Sequence, residues 1–351
     1  MPLVRHSDLP TYDRLTSEGR QILPQGRALA QDIRELHIGL LNIMPDAALE
    51  ATERQFFRLV GESNRVAQIY MHPFTLPVFP RGAEAQAHIG QYYETFEQIQ
   101  ADGLDALIIT GASEESNEPV SDRDYWQPLI EAIEWAQENV TSTMCSCLAS
   151  HAALGYFHDQ FPEWRDDKRF GIFSHRVMDR NHPLLRGMNT VFNVPHARHS
   201  ELNKNQFEES GFRILVESDV AGVHMATSPD GFRLICSQGH PEYDTFSLLK
   251  EYRREVNLFI EGGRSSYPTF PDGYFNPETE RLVRQFQSDA EAGKDTGMFP
   301  EELISATLDN TWADSARSVM GTWIGLIYQI TNVDRRKPFM DGIDPDNPLG
   351  N

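Results

Sequence analysis

TSTMCSCLASH, residues 141–151, brings small and polar residues and two cysteines to the end of an apolar run, and the helical stretch LASHAALGYF follows at once. The chain holds only three cysteines among its 351 residues, so placing Cys145 and Cys147 one residue apart at a strand end needs a reason. A nucleophile elbow supplies one. This sharp strand–turn–helix junction lifts its reactive atom above the sheet, and it needs small residues two positions to either side because the backbone passes close to itself. Centred on Cys147, those positions hold Cys145 and Ala149. The following helix would aim its N-terminus at the thiol, favouring the thiolate and offering backbone N–H groups to an oxyanion. Two other readings stand beside it. Free cysteines are commonly buried core residues, and Cys145, Cys147 and His151 could meet at a metal, although they lack the usual ligand spacing and a fourth ligand. A disulfide between the two cysteines would close a strained small ring and is not expected.

Working outward from the elbow, strand-like and helix-like segments alternate. LHIGLLNIM (36–44) is apolar and stops at Pro45, with a helical pattern over 50–61; RVAQIYMHPF (65–74) and ALIITGA (106–112) are again strand-like. YWQPLIEAIEWAQENV (125–140) carries Leu129, Ile130, Ile133, Trp135 and Ala136 close to helical period. Near-continuous apolar strands separated by amphipathic helices predict a parallel sheet covered on both faces. Open sheets of this kind bind ligands beyond the carboxyl ends of their strands, where Asn42–Asp46, Gly111–Glu115 and Cys147 fall.

The second half has shorter β-type runs at 213–218, 222–227 and 231–239, the last two joined by SPDG, a hairpin signal. Helices are predicted near 245–261, 277–292 and 312–330. The expected organisation is one α/β unit: an N-terminal extension over 1–35 packed on the core, a catalytic region over 36–262, and a helical C-terminal region over 263–351 of the same domain.

Composition narrows the function. A net charge of −21 argues against a binder of nucleic-acid phosphates. The first residues lack the apolar core of a signal peptide, no apolar run approaches the roughly 18 residues of a membrane span, and an odd, sparse set of cysteines suits a reducing cytoplasm. A cytoplasmic protein with small-molecule substrates and no nucleic-acid or membrane partner is expected, with a homodimer as the default assembly.

A thiol nucleophile needs a base. His240 follows the strand-like FRLICSQG, and Glu242 lies two residues on, in GHPEYD. A nearby carboxylate can orient a histidine and fix its tautomer. Cys, His and Glu in that chain order, on a parallel-sheet scaffold, match the class I glutamine amidotransferase arrangement.

QDIRELHIGLLNIMP, LIITGA followed by DYW, VTST, FGIFSHRV, PHARH, GHPEYD, EYRR and GTWIGLIYQ also occur in an order that resembles the homoserine O-acyltransferase family over nearly the whole chain. The resemblance is to a divergent branch: Leu148–His151, Ala47 and Ala197 depart from the usual pattern. It implies a flavodoxin-like, class I glutamine amidotransferase-like α/β fold with a parallel sheet flanked by helices, and acyl transfer from an acyl-coenzyme A co-substrate to the hydroxyl of L-homoserine in methionine biosynthesis, with no cofactor and no metal. Cys147 would carry the acyl thioester, with His240 as base and Glu242 as its partner. Lys168 and Arg254 would contact the amino-acid acceptor, Ala197 would line its site, and backbone N–H groups at Leu148 and the Gly111 loop would hold the oxyanion. In the loop GASEE, the fifth position lines the acyl pocket of the family, where glutamate accompanies acetyl transfer and glycine succinyl transfer. That position is Glu115, so acetyl-coenzyme A is the expected donor. The bland reading of Glu115 is a solvated loop acid, and Glu114 could shift the register by one. A glutamine amidotransferase-like cysteine hydrolase and a non-catalytic binding relative are the competing functions.

Overall fold

The apolar runs do form strands, and their order places the elbow at the centre of a wide sheet. The computed structural model describes residues 3–112, 117–294, 297–337 and 342–350. Its main strands are β1 (Glu35–Leu41), β2 (Gln68–Phe74), β3 (Ala106–Ile109), β4 (Ser142–Ser146), β5 (Glu163–Val177), β6 (Val191–Glu201), β7 (Arg213–Ser218), β8 (Gly222–Thr227) and β9 (Leu234–Ser237). They form one nine-stranded sheet in the order β2-β1-β3-β4-β9-β8-β7-β5-β6.

From β2 to β9 every pairing is parallel. From β9 to β6 every pairing is antiparallel. The sheet is therefore mixed, which corrects the expectation of a parallel one. The reason lies in burial. β1 is buried along nearly its whole length, as a strand covered on both faces must be, whereas the C-terminal part of β5 alternates between buried and exposed residues. An antiparallel strand tolerates solvent on one face, so it lacks the continuous apolar signature.

Helices α1 (Asp46–Ser63), α2 (Trp126–Asn139), α3 (Leu148–His158), α4 (Ser247–Ile260), α5 (Pro277–Glu291) and α6 (Ala313–Ile330) cover the sheet. Phe57 and Val60 of α1, Trp323 and Ile327 of α6, and Leu3, Leu9 and Tyr12 from the N-terminal segment pack with Ile38, Ile69 and Met144 of the strands. A second cluster joins Ile130 and Ile133 of α2 and Ala152 of α3 to Leu107, Ile109, Cys145 and Cys236. A third sets Leu249 and Tyr252 of α4 against Phe170, Val283, Phe286 and Ile304. The N-terminal segment and α6 thus belong to the central core, while the stretch around α5 gathers on α4. Among the described residues no helix is long and apolar enough to cross a membrane.

The approach of α6 to α1 depends on a missing side chain. A Cβ on Gly321 would lie 2.5 Å from the Ser63 carbonyl oxygen, whereas one on Gly325 would meet nothing within 4 Å. Gly321→Ala should therefore destabilise the protein by about 1–3 kcal/mol through overpacking against backbone. Gly325→Ala, with the same helix propensity gain and no clash, should be neutral or stabilising by up to ~1 kcal/mol. Urea unfolding of both variants checks this, and equal effects at the two positions would refute the close approach.

Candidate active site

The carboxyl ends of β3, β4 and β9 lie side by side, with Ile109 opposite Cys145 and Ser146 opposite Ser237. The chain leaves β4 at Cys147, which takes φ 49° and ψ −113° before α3 begins. A non-glycine residue in such backbone stores roughly 1–3 kcal/mol of strain, held only when its surroundings over-determine it. Here they do. The Cys147 N–H donates to the Ser237 carbonyl at 2.6 Å. The Ser150 hydroxyl donates to the Cys145 carbonyl at 2.8 Å and accepts from the Ser237 N–H at 3.1 Å, tying the first turn of α3 to both strands beneath it. Gly111 closes the other side, since a Cβ there would sit 3.2 Å from the Cys147 Cβ.

His240 follows β9 by the same logic. Its N–H donates to the Pro195 carbonyl of β6 at 2.8 Å. Gly239 before it leaves no room for a side chain, because a Cβ would come within 2.6 Å of Val194 and 2.8 Å of the His196 ring. The imidazole Nδ1 meets the Glu242 Oε1 at 2.8 Å, and the ring also engages the Cys147 thiol by a hydrogen bond. Tyr243 stacks on the imidazole with ring centroids 4.4 Å apart. His240 and Glu242 are both buried. Burial alone would push the imidazole down, but the Glu242 carboxylate and Cys147 outweigh it and raise it to about 10. The arrangement can hold a proton on the imidazole beside a sulfur nucleophile.

The other cysteines differ. Cys145 and Cys236 face each other across β4 and β9, fully buried. Burial drives both thiols upward, Cys236 to about 12. All three cysteines are free thiols.

The structure therefore brings together Cys147, His240, Glu242, Gly111 and the first helical amide, that of Leu148, whose N–H has no carbonyl one turn earlier in the helix to bond to. Lys168 on β5 reaches α4 instead: its Nζ lies 2.5 Å from Glu251 and 2.8 Å from Glu255. Arg254 is an exposed residue of the same helix. Its charge is felt at the Tyr243 phenol, which burial, Glu251, Glu242 and Cys147 push well up against the opposing effect of Arg254. Ala197 pairs with Phe170 across β6 and β5 and packs beside the cluster under α4. Glu115 lies outside the described residues. Sequence reading missed Tyr243, although it stands in GHPEYD beside the chosen pair, and Ser150, whose role depends on a strand 87 residues away. A cavity of about 680 Å³ is lined by residues such as Leu15, Arg20, Arg58 and Arg317, and not by Cys147.

Comparison with known proteins adds an independent line. The sequence profile of the homoserine O-succinyltransferase family matches residues 2–333. The chain is 56% identical to a homoserine O-succinyltransferase of Allochromatium vinosum, over 100% of this chain and 99% of that protein. It is 53% identical to the homoserine O-succinyltransferase of Nitrosococcus oceani, with the same coverage. Among solved structures it is similar to a glutamine amidotransferase from Thermotoga maritima at 10% identity and a TM-score of 0.45, covering 84% of this chain and 98% of that one.

The His240–Glu242 pair makes stability depend on pH in a defined sense. A histidine raised from 6.5 to about 10 on folding contributes stability that is complete below pH 6.5 and lost as pH climbs through 10. The stability advantage of wild type over Glu242→Gln should therefore be largest near the lower end of that window and close towards its upper end. Denaturant titrations at stepped pH measure it; an advantage that stays flat would contradict the charged pair.

Proposed function

This chain belongs to the homoserine O-succinyltransferase family, and from that premise we propose that it transfers a succinyl group from succinyl-coenzyme A to the hydroxyl of L-homoserine through a thioester on Cys147. It is a homoserine O-acyltransferase of methionine biosynthesis. The observation that carries the mechanism is the strained backbone of Cys147, which turns its thiol to an imidazole already paired with a carboxylate.

The Cys147 sulfur attacks the thioester carbonyl of the donor, and the tetrahedral oxyanion is held by the Leu148 N–H and the Gly111 loop. Collapse expels the coenzyme A thiolate, which takes the proton from His240. The hydroxyl of homoserine then gives its proton to His240 as its oxygen attacks the acyl carbon, and collapse returns the thiolate to Cys147. Glu242 keeps the imidazole oriented and compensates its charge throughout. Exchange of one thioester for another is nearly isoenergetic, which suits a sulfur nucleophile for the first half. Arg254 receives the acceptor's carboxylate; Lys168, neutralised by Glu251 and Glu255, orders the helix face on which Arg254 stands, and Ala197 forms part of the wall behind it.

The acetyl donor expected from Glu115 is set aside. The relatives at 50–56% identity are named for succinyl transfer, and Glu115 lies outside the described residues.

Intact mass spectrometry tests the reading directly. Wild type incubated with succinyl-coenzyme A should gain one succinyl group, lose it when homoserine is added, and gain none as Cys147→Ser. Arg254→Ala should acylate normally yet show a KM for homoserine raised about tenfold or more, the loss of a charge-assisted contact of roughly 1.5–3 kcal/mol. Faster acylation by acetyl-coenzyme A would overturn the donor and leave the thiol mechanism standing. Glutamine hydrolysis without any coenzyme A turnover would overturn both.

A further inference from the structure

A second cluster of chemistry-bearing side chains lies at the opposite edge of the parallel half of the sheet. β2 is the edge strand, and β1 and β3 separate it from β4, so at ~4.8 Å per strand step it runs at least ~14 Å from the elbow. Three chain segments meet there. His72 stands on β2. His6 follows the short strand Val4–Arg5, and the neighbouring Leu3 bridges Ile69 of β2. Glu94 bridges Phe74, its N–H donating to the Pro73 carbonyl at 3.0 Å. Strand β2 and two isolated backbone bridges beside it thus bring the three positions together. One ligand atom from each of His6, His72 and Glu94 lies within 4.8 Å of the other two.

The hydrogen bonds around these groups sort their nitrogens. His6 Nδ1 is engaged at 3.2 Å by the Val4 carbonyl and at 3.2 Å by the Tyr12 hydroxyl, which leaves Nε2 as the metal-binding atom. His72 Nδ1 lies 2.6 Å from Glu94 Oε1, while its Nε2 lies 2.8 Å from His37 Nδ1. His37 continues through Nε2 to the Glu35 carboxylate at 3.2 Å and stacks on Tyr70. An outer carboxylate–imidazole relay of this form is what holds a ligating histidine in one tautomer and orientation. His72 Nδ1 and Glu94 Oε1 face each other where a cation would bridge nitrogen and oxygen.

We propose that His6, His72 and Glu94 bind a borderline divalent cation such as Zn²⁺ or Co²⁺, with His37 and Glu35 as the outer relay. Two imidazoles and one carboxylate suit such an ion, and water completes its coordination. All three side chains are partly exposed, so a hydrated ion reaches them. The cation clamps the N-terminal segment onto the edge strand and takes no part in acyl transfer.

The test uses full-length Cys147→Ser protein, so that the nucleophile cannot serve as a ligand, freed of metal by chelator and titrated with Co²⁺. About one equivalent should bind, with a visible ligand-field band and a Tm rise of a few degrees. His6→Ala and Glu94→Gln should each weaken binding at least tenfold, and His37→Ala about 10–100-fold as an outer partner. His72→Ala should abolish it. Glu94→Gln preserves shape, so it carries the test if His72→Ala fails to fold. No uptake by the parent protein, or uptake unchanged in His6→Ala and Glu94→Gln, would overturn the site.

Discussion

The hydrogen bond from the Cys147 N–H to the Ser237 carbonyl sets the rest of the chemistry in place. It extends the parallel pairing of β4 with β9, in which Thr143 through Ser146 run beside Leu234 through Ser237. Because the two strands leave the sheet at the same level, the thiol beyond one and the imidazole beyond the other emerge as neighbours, separated by 93 positions in the chain but carried just past adjacent strands. The strain at Cys147 is maintained by that bond and by the Ser150 hydroxyl. A shift of β9 by one residue would turn every side chain of the strand to the other face and separate the pair.

Behind His240 lies a second histidine cluster whose protonation is the opposite, and the contrast shows what Glu242 does. The Arg198 guanidinium donates to His196 Nδ1, so His196 Nε2 carries the proton and donates to His175 Nε2 at 3.1 Å. His175 Nδ1 then donates to the Phe173 carbonyl at 2.9 Å. Every tautomer follows from its neighbour, and each ring is neutral. Burial, and then Arg198, drive His196 well below its ordinary value, and burial brings His175 to about 4. His240 is equally enclosed. It holds a proton because a carboxylate stands where His196 has a guanidinium. The His196 ring, with Val194, in turn walls Gly239 and leaves no room for a side chain there.

What could be read from the sequence follows the range of the interactions. The elbow was legible because its requirement, small residues at Cys145 and Ala149, is local, and His240–Glu242 because the pair spans two positions. The parallel strands announced themselves as apolar runs. β5 and β6 did not: Ser174 and Arg176 are exposed on β5, and the buried polar residues His175, His196 and Arg198 interrupt the apolar pattern, so FGIFSHRV and PHARH read as motifs rather than as strands. Ser150 was invisible, since nothing near it in sequence says that it will bond the backbone of β9. Tyr243 was in view but unassigned, because stacking on an imidazole leaves no spacing rule.

Helix α4 shows how a strongly acidic chain can still present an exposed cation. Glu251, Arg254 and Glu255 are three and four residues apart, so they share one face of α4, and Lys168 reaches the two glutamates from β5. The lysine is enclosed by opposite charges that hold it raised despite its burial, so it stiffens the face and has little charge to spare. Arg254 remains exposed between the two acids. A face of alternating sign suits a zwitterion, whose carboxylate and ammonium meet opposite charges, better than it suits a plain anion, which the flanking glutamates would repel. The Tyr243 phenol lies in the field of Glu251 and Arg254 on one side and of Glu242 and Cys147 on the other. That phenol senses both the charged helix face and the thiol. In the proposed reaction the amino acid is gripped at α4 and its side-chain hydroxyl attacks the acyl carbon on Cys147.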